Sequence, residues 1–170
     1  LFASIAYRNE QQALTNNEYE ANKKILSQIM FNIDYMDRMI ANSTLSMYSD
    51  PQIRSVIYAS EADFAEIINV MNNLRNSIVN TNPFIHSIYI YNNKTNSFYS
   101  TEGGLFFKDG NLERLLLSNA DIPVLKPVPR AIEYATVGDL KRKENVVTYF
   151  MYEFVGDTGK FDGGLIVNVS

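Results

Sequence analysis

The first fifty residues contain neither proline nor glycine, from Leu1 through Asp50. Proline and glycine are the strongest local breakers of helix, so a run this long without either permits one uninterrupted element. Apolar residues recur through it at Ile25 or Leu26, Ile29, Ile33, Met36, Ile40 and Met47, in steps of three and four. That spacing predicts a single helix over residues 4–48 with one apolar stripe. At about 1.5 Å per residue it would extend roughly 65 Å, about twice the width of a small domain. The half before Lys24 is polar on most faces, so only the second half is expected to pack on a sheet, through Ile29, Ile33, Met36 and Ile40. The first half is expected to stand in solvent or lie against a twin helix.

The opening heptapeptide "LFASIAY" is apolar and is followed at once by a polar stretch. Seven residues fall far short of the roughly 20 a bilayer requires. Two readings stay open: an ordinary helix start packed on its own domain, or the last turns of a membrane-spanning helix. The chain also stops on the strand-like "GGLIVNVS", which leads to the expectation that it is a fragment of a longer protein.

After Asp50 the pattern changes. Asp50 before Pro51 reads as an N-cap followed by a first-turn proline and opens a short helix to about Ala59. Ser60 with Asp63 gives a second capping signal, and the helix behind it carries Phe64, Ile67 or Ile68, Met71, Leu74 and Ile78 on one face. Asn82-Pro83 ends it.

The remainder reads as mostly β. "FIHSIYIYN", an Asn-rich turn and "SFYST" form a hairpin, and Asn111 is expected to cap the short helix "LERLLLSN". The prolines of "PVLKPVPR" demand an extended crossing segment. "AIEYATV", "NVVTYFMYEFV" and "LIVNVS" supply three more strands, the last two joined by the glycine-rich "GDTGKFDGG". The fold class is therefore α+β, with a long N-terminal helix packed on a five-stranded antiparallel sheet. Residues 1–48 would be the helix and 49–170 the sheet-bearing module.

Function classes narrow by elimination. The formal net charge is -4, and the densest basic cluster, Lys141-Arg142-Lys143, is followed immediately by Glu144, so nothing suits a nucleic-acid backbone. With no cysteine there is no disulfide or thiolate metal site. His86 is the only imidazole, on a strand where alternation places it beside Phe84, Ile88 and Ile90, and it reads as a packed or edge residue with no catalytic role. Asp157 and Asp162 lack calcium-loop spacing and read as turn residues. No catalytic residue, metal or cofactor is assigned, and the chain is not expected to be an enzyme. The tyrosines are more suggestive. Tyr89 and Tyr91 share one face of the first strand, Tyr99 lies across the hairpin, and Tyr149 and Tyr152 lie on the fourth strand. Buried phenols require hydrogen-bond partners, internal or from a polar ligand.

The long helix, "SDPQIRSVIYAS", "PFIHSIYIYNNKTNSFYSTEGG", the segment ending in "PR" and the closing "VVTYFMYEFVGDTGKFDGGLIVNVS" together resemble an extracytoplasmic Cache domain, the PAS-like sensor module of bacterial transmembrane receptors. The resemblance spans nearly the whole chain. It is strongest at "SIYIYNNKTNSFYST" and "GGLIVNV", which resemble Firmicutes membrane-bound regulators with a cytoplasmic AraC-type DNA-binding domain; sensor histidine kinases have similar ectodomains. The resemblance implies a PAS-like sheet at the extracytoplasmic side of the cell membrane, with the membrane reached through flanking segments. It implies as partner a small polar ligand, such as a carbohydrate or organic acid, or a solute-binding protein, with a homodimer formed through the long helix. It also implies Arg130 as a ligand contact, although "PRAIEYA" lacks the aromatic residues that follow that arginine in the amino-acid-binding pattern. The candidate ligand set is Tyr89, Tyr91, Tyr99, Arg130 and Tyr149.

Overall fold

The structure is a computed structural model that describes residues 2–102, 109–117, 122–135, 141–154 and 161–170. Helix α1 runs without a break over Phe2–Tyr48. The chain divides into two compact units, Leu1–Met39 and Ile40–Ser170. In the first unit Ile29 and Ile33, expected to be covered, are 48% and 59% exposed. Burial begins with the second unit, where Ile40 is 1% exposed and Thr44, Met47 and Tyr48 follow it into the core. Among the described residues no helix is long and apolar enough to cross a membrane.

In the second unit α2 (Pro51–Tyr58) starts as expected, with the Asp50 carboxylate accepting from the Gln52 and Ile53 amides. Helix α3 (Phe64–Leu74) is capped by Asp63 itself, which accepts from Ala65 N and Glu66 N, so the Ser60–Asp63 box is not used. The chain continues as a π-turn over Arg75–Val79. Five strands follow: β1 (Ile85–Asn92), β2 (Ser97–Ser100), β3 (Val128–Ala135), β4 (Lys141–Phe154) and β5 (Phe161–Val169), with α4 (Gly110–Leu117) between β2 and β3. The sheet is wholly antiparallel, in the order β2-β1-β5-β4-β3. Strand β3 starts earlier than the sequence pattern predicts and takes in Pro129 and Arg130. A proline is tolerated there because β3 is an edge strand. Of the glycine-rich turn expected at residues 156–164, Phe161, Asp162, Gly163 and Gly164 instead belong to β5, and residues 156–160 lie outside the described residues.

The two sheet faces are distinct. One carries Ile88, Ile90 and Asn92 and lies under α2, where the Asn92 amide donates to Val56 O and Ala59 O at 3.0 and 2.9 Å. The other carries Tyr89 and Tyr91, packed with Phe150, Tyr152 and Ile166 beneath Leu112 of α4 and Ile122 of the crossing segment. The expected split of β1 into an Ile face and a Tyr face is what the structure shows.

The last turn of α1 is fastened into the core. Tyr48 and Tyr58 share a hydroxyl–hydroxyl hydrogen bond. The Arg54 guanidinium lies 5.1 and 5.4 Å from their two ring centres while pairing with Glu153 of β4 at 3.0 Å. Burial, and then the bond to Tyr58, hold the Tyr48 phenol well above its ordinary range.

Candidate functional site

The tyrosine face has an apolar end and a polar end, and strand register places both. Thr148 pairs with Asn168, and Asn168 with Ser87, so β4, β5 and β1 set a row of three polar side chains across the middle of the sheet. All three are fully buried. Thr148 and Asn168 each interrupt an apolar run ("VVTYF", "LIVNV"), and a lone polar residue inside such a run is the sequence signal that could have found them; Ser87 follows His86 and carries no such signal.

Arg130 of β3 reaches this row. Its Nε donates to Thr148 Oγ1 at 2.7 Å and its Nη2 to Asn168 Oδ1 at 2.9 Å. Its Nη1 donates to Asp109 Oδ2, forming an ion pair whose side chains are only 8% and 2% exposed. The other oxygen of Asp109 caps α4, accepting from the Asn111 and Leu112 amides at 3.1 Å each. Asp109, not Asn111, is therefore the cap of this helix; the Asn111 side chain instead donates to Ala131 O of β3. One carboxylate thus starts the helix and ties it to the sheet arginine.

The row continues outward. Asn168 Nδ2 donates to Ser87 Oγ at 2.9 Å, and Thr148 Oγ1 donates to Asn168 Oδ1 at 2.8 Å. Ser87 Oγ also lies 3.0 Å from His86 Nδ1, while His86 Nε2 meets Glu144 at 2.6 Å and Nδ1 lies 3.3 Å from Glu102. Alternation would set His86 beside Ile88 on the helix-covered face. The structure departs from this because the β1–β5 register shifts between Ile85 and Ser87. An extra residue in one strand re-aims its side chain, and His86 turns toward Ser87 and Glu144.

Of the five candidate ligand residues, the structure brings three to one face. The Arg130 guanidinium lies 5.9 Å from the Tyr89 ring centre. Tyr91 stacks on Phe98 with centroids 4.6 Å apart, and its hydroxyl donates to Asn93 at 2.8 Å. Tyr99 and Tyr149 do not join them. Tyr99 pairs directly with Ile90, and Tyr149 with Val167, which pairs with Ile88, so both phenols point to the helix-covered face. Directly paired residues of antiparallel strands share a face, and this register corrects the expectation for both. Tyr152 takes the place expected of Tyr149, donating its hydroxyl to Ile122 O.

No family model, curated protein or solved structure matches this chain.

Among the described residues no group of His, Asp and Glu could hold a metal ion. The arrangement places one buried arginine, which donates to Thr148, Asp109 and Asn168, beside a phenol. Burial pushes the Tyr89 phenol up to about 12, with the Ser87 hydrogen bond opposing the shift. A folded-state value above the unfolded 10 means that the contribution of Tyr89 to stability is complete below pH 10 and is lost as pH rises toward 12. Two units correspond to about 3 kcal/mol. Urea unfolding at pH 9 and pH 11.5 should therefore show a smaller alkaline loss in Tyr89→Phe than in the wild type; an equal loss in both would remove Tyr89 as its source.

Proposed function

We propose that the chain is an extracytoplasmic ligand-sensing domain of a transmembrane signal-transduction protein. The observation that carries this reading is the double use of Asp109. A ligand carboxylate or polyhydroxyl group that took the Arg130 guanidinium from Asp109 would loosen the anchor of α4 in the same step. Binding would thereby become a displacement of a helix, the kind of differential contact a two-state switch requires. The buried end of α1, fastened through Tyr48, Tyr58 and Arg54, gives the module a rigid element through which to pass that change. The ligand class we assign is a small organic acid or carbohydrate, free or carried by a solute-binding protein. The output we assign, from the likeness of the β1–β2 hairpin and of β5 to such receptors, is an AraC-type transcriptional regulator, with a sensor histidine kinase as the alternative.

A second reading is favoured by one specific observation: Leu112 and Ile122 fill the apolar end of the tyrosine face, and Leu115, Leu116 and Val124 pack around them. A face filled by the chain's own residues suits a structural ectodomain that dimerises and binds nothing small. Thermal-shift screening against sugars, organic acids and amino acids separates the two. Ligand at 100 times its Kd stabilises by about 2.7 kcal/mol, a rise of roughly 5–10 °C for a module of this size. A rise of that size with one of these classes supports sensing, whereas no shift with any of them leaves the structural reading.

A further inference from the structure

Three helices of the second unit, the end of α1, α2 and α3, meet around a cleft of about 350 Å³. Its floor is apolar: Met47 of α1, Ile53 of α2, and Val70 and Leu74 of α3 form it, each only 4% or 7% exposed. Beyond Leu74 the helix widens into the π-turn over Arg75–Val79, closed by the Asn80 amide donating to Arg75 O at 2.9 Å. Ser77 and Ile78 of this turn complete the wall. Single π-turns set into helices recur at functional sites.

The rim of the cleft is polar and uncommitted. Ser46, Gln52, Asn73 and Ser77 stand on it exposed, and among the described residues their side chains make no hydrogen bond to the protein. Asp50 accepts from the Gln52 and Ile53 amides through Oδ1 alone, and among the described residues nothing engages Oδ2. The charge around the cleft has one sign. Asp50 is the only ionisable residue in its described lining, and the adjoining depression, which shares Gln52, Val70 and Asn73, adds Glu66. The arginines of the same elements are engaged elsewhere: Arg54 pairs with Glu153 at 3.0 Å, and Arg75 Nε donates to Thr101 O at 2.6 Å. Small-molecule sites combine an apolar concavity with a few polar groups that fix orientation. Here those groups offer acceptors and negative charge, so the complementary ligand joins a compact apolar body to an ammonium group. An anion would meet Asp50 and Glu66 with no free cation to offset them.

We propose that this cleft is a second binding site, for a small organic ammonium ion whose apolar body rests on Met47, Ile53, Val70 and Leu74 and whose charge faces Asp50. Such an occupant touches α1, α2 and α3 at once and braces the last turns of α1. The site does not rest on the sensing role of Arg130, which lies on the other face of the sheet beside Tyr89 and is assigned a ligand without positive charge. Either site can fail without the other.

Cyclohexylamine and phenethylamine, both cationic at neutral pH, are the probes, with phenethyl alcohol and hydrocinnamate as the neutral and anionic counterparts. In amide NMR titrations of the 170-residue protein, at least one amine should give saturable shifts with a Kd of about 1 mM or below, confined to residues 46–53 and 70–78. The alcohol should bind more weakly and the carboxylate not at all. Asp50→Asn should weaken amine binding by about three- to fivefold, the worth of a partly exposed ion pair. Asparagine still caps α2, so the melting temperature should stay close to that of the wild type and show that the variant is folded. Asn73→Asp, which adds a carboxylate to the rim, should tighten amine binding by a similar factor. No saturable shift with either amine overturns the proposal. So does hydrocinnamate binding as tightly as phenethylamine, or equal amine affinity in Asp50→Asn and the wild type. Shifts centred on Arg130 and residues 109–117 also overturn it, because they put the amine on the tyrosine face.

Discussion

Replacing Arg130 with alanine is expected to destabilise the second unit by about 3–5 kcal/mol, the usual cost of removing one member of a buried ion pair. The loss goes beyond the contact itself. Asp109 would keep its charge in a position where its side chain is 2% exposed. Thr148 and Asn168, both fully buried, would each lose a charge-assisted donor. Arg130→Lys should recover little, because an ammonium cannot supply three donors in the planar fork that meets Asp109, Thr148 and Asn168 together. Asp109→Asn should also be costly, leaving the guanidinium uncompensated while an amide oxygen still caps α4. The double change Arg130→Ala/Asp109→Asn should cost less than the sum of the two single changes, since neither charge is then stranded. Urea unfolding of the four variants measures this directly. A loss below 1 kcal/mol for Arg130→Ala would mean that the network does not hold α4 to the sheet.

Gly163→Val should cost about 3 kcal/mol or more, for a steric reason that no side-chain rotation relieves. A Cβ at position 163 would lie 2.7 Å from Ile57 Cγ2, from Ile57 O and from Tyr91 O. Two of those three atoms are backbone, so helix α2 or strand β1 must shift. A displacement of α2 would also break the bonds of Asn92 to Val56 O and Ala59 O, leaving a buried amide without them. Gly110→Ala is the matched control. Nothing lies within 4 Å of its added Cβ, and a glycine replaced at the start of a helix should be neutral or stabilising by about 0.4–1 kcal/mol. Equal thermal midpoints for Gly163→Val and the wild type would show that α2 does not rest on the sheet at this distance.

Parts of this architecture are written in short stretches of chain. The absence of proline and glycine before Pro51, with apolar residues in steps of three and four, is enough to read the length of α1, because helix continuity depends on each residue and its neighbours within one turn. Asp50-Pro51 fixes the start of α2 for the same local reason. The period-two pattern of "SIYIYN" sorts Ile88 and Ile90 from Tyr89 and Tyr91 without reference to any other strand, since alternate side chains of a strand point to opposite faces. The exposure of Ile29 and Ile33 was not legible in this way: an apolar stripe is the same whether its cover is a sheet or another chain.

What the sequence by itself determined is thus the set and order of the elements, the length of α1 and the alternation of faces along β1, while β3 and β5 start earlier than their patterns predict. Tertiary structure alone decided which faces meet. Tyr99 and Tyr149 point away from Tyr89 because Ile90 pairs with Tyr99 and Val167 with Tyr149, and a register one residue different would reverse both. His86 reaches Glu144 only through the shift between Ile85 and Ser87. Asp109, Arg130, Thr148, Asn168 and Ser87 come from five separate stretches of chain, and they form one network because Asn168 of β5, seated between β1 and β4, joins Ser87 to Thr148 and Arg130. Periodicity is a property of the backbone and repeats within a few residues, so it can be read along the chain. Register depends on contacts between strands distant in the chain, as where Ile85 pairs with Val169, and those exist only in the folded molecule.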